Sequence, residues 1–154
     1  MKIFSQGVSG NNFYLGISNS GEFRITDAIG SSGVYYPNDD QWHYISFVKM
    51  DTEIKLFIDG ALVLDGSGTL GNPAQSPFYL STQFVGAYEY FEAVYDDLRV
   101  WDIAKTDAQV LADMTNCIDG TEPGLIAGYN FEDGTGSSII SDQSPNANDL
   151  SLTN

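Results

Sequence analysis

Trp42-His43-Tyr44-Ile45-Ser46-Phe47-Val48-Lys49-Met50-Asp51-Thr52-Glu53-Ile54-Lys55-Leu56-Phe57-Ile58-Asp59-Gly60 is the stretch that decides the fold. Its apolar residues recur every second position, the period of a half-buried strand rather than of a helix. Met50-Asp51-Thr52 interrupts the alternation, so Trp42–Lys49 is expected to turn back into Glu53–Ile58 as a hairpin. Asp59-Gly60 then stands between two β-rich flanks, the signature of a type I′ turn, because both residues tolerate positive φ. A third strand, Ala61–Leu64, follows at once.

Outward from this meander the same period recurs, punctuated by Gly, Asn, Asp and Pro. Strands are predicted at Lys2–Ser5, Phe13–Ile17, Glu22–Thr26, Gly33–Tyr36, Phe78–Ser81, Tyr90–Trp101, Leu125–Phe131, Ser138–Ile140 and Asp149–Leu152. One segment departs from it: Thr106 to Met114 reads as a short helix. Thr106 and Gln109 have capping-box spacing, and Val110, Leu111 and Met114 would form its apolar face. Many short strands and one helix predict an all-β fold, an antiparallel two-sheet jelly-roll sandwich.

The chain has 154 residues, one domain's length, so residues 1–154 are read as a single domain. Six Lys+Arg against 21 Asp+Glu leave a net charge of −15, which disfavours nucleic acid and anionic lipid as partners. The single cysteine, Cys117, excludes an internal disulfide and a cysteine-based zinc site. No apolar run reaches the ~20 residues of a membrane span, and none near Met1 suits a signal peptide.

Three stretches together resemble the laminin-G-like (concanavalin A-like) jelly rolls of secreted bacterial proteins. They are the Trp42–Gly60 hairpin; Asp96-Asp97-Leu98-Arg99-Val100-Trp101 with the helix after it; and a closing segment. That segment runs from Asn116-Cys117 through Glu122-Pro123-Gly124-Leu125-Ile126-Ala127-Gly128-Tyr129-Asn130-Phe131 to Ser141-Asp142-Gln143-Ser144-Pro145-Asn146-Ala147-Asn148-Asp149. The family's opening Phe-Asp-Gly…Asp-Tyr strands have no counterpart, and Pro145 stands where its Asp-x-Ser-x-Asn loop has glycine. Met1–Ile17 is similar to the part that follows those strands, so a piece of a longer secreted protein, extracellular or at the cell surface, is expected. If Met1 is instead a true start, the expectation is a rearranged closure by Leu125–Phe131 and Asp149–Leu152, or a homo-oligomer paired through uncovered sheet edges.

Four sets of residues are candidates for chemistry. His43, the one histidine, is read as the start of a strand, with Trp42 and His43 facing opposite ways. A glycan-cleaving pair would need two carboxylates on one strand face. Glu89 and Glu92 differ by three, however, and resemblance to the related glycanases, with their Glu-x-Asp-x-(x)-Glu run, implies a third carboxylate where Val94 stands between Glu92 and Asp96. For structural calcium, Asp142–Asp149 offers many oxygens in one loop, and similarity to the family marks Asp96, Asp97, Asp142 and Asn148 as ligands. Asp96 also shares parity with Val94, Leu98 and Val100, which would turn its carboxylate toward the apolar face. For a sugar, aromatics interleaved with acids or amides point to Tyr88, Glu89 and Tyr90 in one segment and Tyr35, Tyr36 and Asn38 in another.

The expectation is a non-catalytic carbohydrate-binding or adhesion module, stabilised by calcium, whose partner is a polysaccharide or glycan. A glycan-cleaving enzyme of the same superfamily and a structural protein-interaction module are the alternatives.

Overall fold

The computed structural model describes residues 1–8, 11–26, 30–71, 76–82 and 89–152. The chain forms two compact units, Met1–Ala93 and Val94–Asn154. In the first, β1 (Lys2–Val8), β2 (Asn11–Ile17), β3 (Glu22–Ile25), β4 (Gly30–Tyr35), β5 (Ile45–Met50), β6 (Glu53–Ile58), β7 (Ala61–Ser67) and β8 (Phe78–Leu80) follow one another. They build two antiparallel sheets, ordered β4-β3-β2-β1-β8 and β5-β6-β7.

The meander read from the sequence is present. Ile45 pairs with Ile58, Phe47 with Leu56 and Lys49 with Ile54. Asp59 and Gly60 both take positive φ, 51° and 77°, as a type I′ turn requires. β5 begins at Ile45, however, so Trp42, His43 and Tyr44 belong to the loop that enters it.

Alternation places Leu15, Ile17, Phe23 and Ile25 of the larger sheet against Ile54 and Leu56 of the smaller, with Leu70 beside them. Phe47 crosses between the sheets. Its ring lies 6.3 Å from that of Phe4 and 6.2 Å from that of Phe13, while Phe4 stacks on Phe78 at 5.8 Å. Each such side chain withdrawn from water contributes about 1.5–3 kcal/mol, and each ring pair adds about 0.5–1.5 kcal/mol. The result is a two-sheet antiparallel sandwich, as the periodicity required.

The second unit carries β9 (Leu98–Trp101), the helix α1 (Asp107–Asp113), β10 (Leu125–Tyr129), β11 (Ile139–Ile140) and β12 (Leu150–Ser151). β9 pairs with β10, and β11 with β12, both antiparallel. Ala127, Tyr129 and Ile140 form its buried centre, packed by Leu98, Val100, Phe131 and Leu150. Thr106 caps α1 through the expected reciprocal box with Gln109. Of its expected apolar face only Val110 is buried; Leu111 is exposed.

The predicted strand Tyr90–Trp101 survives only from Leu98 onward. Asp97 stands at φ 51°, a left-handed conformation that ends strand pairing, so parity counted through Asp96 has no meaning there.

Candidate functional site

The segment between β4 and β5 carries a run of exposed polar and aromatic groups. Tyr35, at the end of β4, is 64% exposed, and Trp42 is 68% exposed. Between them Asn38, Asp39, Asp40 and Gln41 all face solvent, with Asp40 held at φ 60°.

Two anchors hold this loop. Tyr36 points the other way from Tyr35: its ring meets Phe23 edge-on at 5.7 Å and Phe91 at 5.6 Å, and its N–H donates to the Gly21 carbonyl. Tyr36, expected to bind ligand, is partly buried and packs against the core, facing away from Tyr35.

The second anchor is His43, whose side chain is only 18% exposed. Its Nε2 lies 2.9 Å from Asp39 Oδ1 and its Nδ1 lies 2.8 Å from Asp59 Oδ2. Asp59 Oδ1 accepts from the Tyr44 N–H, and Asp39 Oδ1 also accepts from the Gln41 N–H. Hydrogen bonds donated to Asp39 and then to Asp59 raise the His43 pKa above its ordinary 6.5. The His43 hydrogen bond is the largest cause that lowers both aspartates below 3.8. With a carboxylate at each nitrogen the imidazolium is favoured, because it donates to both, and the ring ties the two aspartates together.

Sequence reasoning passed over Trp42 and misassigned His43. Hairpin arithmetic holds the missing signal: with Ile45 opposite Ile58, the next pair outward is Tyr44 with Asp59, which brings His43 beside the Asp59 carboxylate.

The other expected sugar-binding segment divides. Tyr88 lies outside the described residues. Tyr90 is 65% exposed, as a ligand-facing ring requires, and Phe91 turns inward. Glu89 is tied to the fold while its side chain stays 43% exposed. Its carboxylate lies 2.7 Å from Lys2 Nζ, and Lys2 is buried with its ammonium 3.5 Å above the Tyr14 ring. That hydrogen bond from Lys2 holds Glu89 below its ordinary value.

The residues marked for calcium do not converge. Asp96 is exposed and its carboxylate accepts from the Asp97 N–H, which corrects the expectation of an inward-facing group. Asp97 grips the Arg99 guanidinium with both oxygens, and Arg99 in turn donates to the Asp113 and Asn116 carbonyls at the end of α1. Asp142 accepts four hydrogen bonds, from Gly128 N–H and Ser144 N–H at one oxygen and from Ser144 Oγ and Asn148 N–H at the other. Burial alone would raise the Asp142 carboxyl, but those donors outweigh it and hold it below 3.8.

Asn148 donates from its side chain to the Ile126 carbonyl, and its own carbonyl accepts from the Tyr129 hydroxyl. Calcium needs six to eight oxygens with free lone pairs on one centre. Among the described residues no three Asp, Glu, His or Cys side chains gather to hold a metal. Asp96, Asp97, Asp142 and Asn148 as placed do not fit a shared cation site.

Residues 1–111 match the laminin G-like family model described as the concanavalin A-like lectin/glucanases superfamily. The chain belongs to that superfamily. No curated protein and no solved structure matches the chain. As a laminin G-like, concanavalin A-like sandwich the chain is a lectin-like or binding module in its general class, and folds of this superfamily often bind carbohydrate. No helix among the described residues is long and apolar enough to cross a membrane.

Proposed function

We propose that this laminin G-like domain is a non-catalytic carbohydrate-binding module of an extracellular protein, and that the β4–β5 loop is its glycan platform. The observation that carries the reading is Trp42, a large ring left 68% exposed on a loop anchored at both ends. A pyranose offers a face of C–H groups to such a ring and directs hydroxyls outward at its rim. Asn38, Asp40 and Gln41 supply amide and carboxylate acceptors and donors beside it, and Tyr35 supplies a second exposed ring.

Pre-ordering favours affinity, because a loop already held by His43 and Tyr36 loses little freedom on binding. Superfamily membership supports the substrate class, since carbohydrate is a common ligand of this sandwich.

The test is binding to immobilised neutral polysaccharides by wild type, Trp42→Ala and Tyr35→Ala, with melting temperatures measured alongside. Loss of binding in Trp42→Ala without loss of stability supports the platform. Undiminished binding in both variants rejects it and moves attention to Tyr90.

A further inference from the structure

His43 is the chain's one histidine, and it occupies an unusual electrostatic position. It donates or accepts at both ring nitrogens, and each nitrogen faces a carboxylate oxygen within 2.9 Å. A neutral imidazole can satisfy only one of these, because its other nitrogen would aim a lone pair at an anion. The imidazolium satisfies both. The geometry therefore specifies a cation here before any titration is considered.

The two carboxylates come from different places in the fold. Asp39 belongs to the β4–β5 loop itself, and Asp59 to the type I′ turn between β6 and β7. Among the described residues these are the charged groups that bear on the ring. Asp59 is fixed independently, since its backbone N–H donates to the Tyr44 carbonyl and its Oδ1 accepts the Tyr44 N–H. The bridge thus ties a solvent-exposed loop to a rigid hairpin end, immediately next to Trp42.

Resting on the reading of that loop as the glycan platform, we infer that His43 is its positioning residue: as an imidazolium spanning Asp39 and Asp59 it holds the Asn38–Trp42 segment in its binding conformation, and its deprotonation releases the segment. The consequence is a direction. Binding is retained on the acidic side of the histidine's titration and falls off as pH rises through it. Two aspartates facing one neutral ring then repel each other, and the exposed Asp39 moves away from the anchored Asp59.

Substitutions that remove charge and keep shape are available at both partners. In Asp59→Asn the amide oxygen still accepts the Tyr44 N–H, and Asn tolerates the residue's φ of 51°. In Asp39→Asn the amide oxygen still faces Gln41 N–H and His43 Nε2. Each variant should fold while making the imidazolium less favourable.

The experiment follows three signals from about pH 5 to about pH 9.5, a span that brackets histidine titration. The first is the NMR titration of the ring protons, unambiguous with one histidine. The second is acrylamide quenching of Trp42 fluorescence in a Trp101→Phe background. The third is affinity for soluble neutral β-glucan, xylan and mannan hexasaccharides. In wild type the ring should titrate above 6.5, the quenching should rise with the same midpoint, and hexasaccharide affinity should drop across that interval.

Both aspartate variants should move all midpoints to lower pH. A ring that titrates at or below the ordinary value, or quenching that stays flat through the titration, overturns the inference. Coincident NMR and quenching transitions with no hexasaccharide bound at any pH support the positioning role and reject the glycan reading, so the two fail separately.

Discussion

Tyr35 and Tyr36 are adjacent, chemically identical and opposite in role, because a strand residue's fate is set by which face it takes. The first is open to water; the second closes a three-ring contact with Phe23 and Phe91. Tyr36→Ala should cost about 2–4 kcal/mol by emptying that contact, whereas Tyr35→Ala should change stability by no more than about 0.5 kcal/mol. Urea titrations of the two variants measure the difference, and equal losses would mean the faces are assigned wrongly. Alternation in Val34-Tyr35-Tyr36-Pro37 puts Tyr36 on the inward face of Val34, and the partner rings that fix it there include Phe91, 55 residues away.

At His43 the sequence carried more than was read from it. Trp-His before a β run reads as a strand start, yet its two partners, Asp39 and the Asp of Asp59-Gly60, both stand in the sequence. The linked pH dependence of stability has a definite sign. Because the folded His43 pKa is raised, its contribution is complete below 6.5 and is lost as pH climbs through the folded value. Because the Asp39 and Asp59 values are lowered, theirs is complete above 3.8 and is lost as pH falls through the folded values. The melting-temperature difference between wild type and His43→Gln should therefore be greatest between about pH 4 and 6.5, and should shrink at alkaline pH. A difference that grows with pH would contradict the ionic bridge.

At the scale of elements, local rules succeeded where the signal was local. The α1 cap, the Asp51-Thr52 turn and the Asp59-Gly60 turn are each written in two to four neighbouring residues. The Tyr90–Trp101 strand was over-extended because alternation continued past the point where Asp97 leaves the extended region.

The Asp142 loop shows another limit, since its many oxygens looked like metal ligands until their donors were known. Asp142, Ser144, Asn146 and Asn148 spend themselves on each other and on the Leu125 and Ile126 carbonyls of β10. Asp142→Ala should destabilise by roughly 2–4 kcal/mol, since it strands several donors at once. Gly120→Ala should also be severe, because a Cβ there would lie 2.0 Å from the Gln143 carbonyl at a φ of +90°. With this internal supply of donors, melts in chelator and in millimolar calcium should coincide. An upward shift with calcium that magnesium does not reproduce would restore the cation expected from the family resemblance.

For the molecule as a whole, composition and period were enough for the class, and the family match confirms it over residues 1–111. That match runs past the boundary between the units at Ala93 and Val94, and takes in β9 and most of α1. The second unit has about 60 residues, a size at which a domain is only marginally able to hold itself together. Among the described residues its buried apolar side chains are Val110, Leu125, Ala127, Tyr129 and Ile140.

Both facts argue that residues 1–154 unfold as one cooperative domain rather than as two. The chain offers a direct way to see this, because Trp42 lies in the first unit and Trp101 in the second. In Trp101→Phe the fluorescence follows unit one, and in Trp42→Phe it follows unit two. The two urea curves should share a midpoint and slope once corrected for each variant's own stability by circular dichroism. If the Trp101 signal is lost at a distinctly lower urea concentration than the Trp42 signal, the chain is two domains in series, and the glycan platform belongs to a unit that stands without residues 94–154.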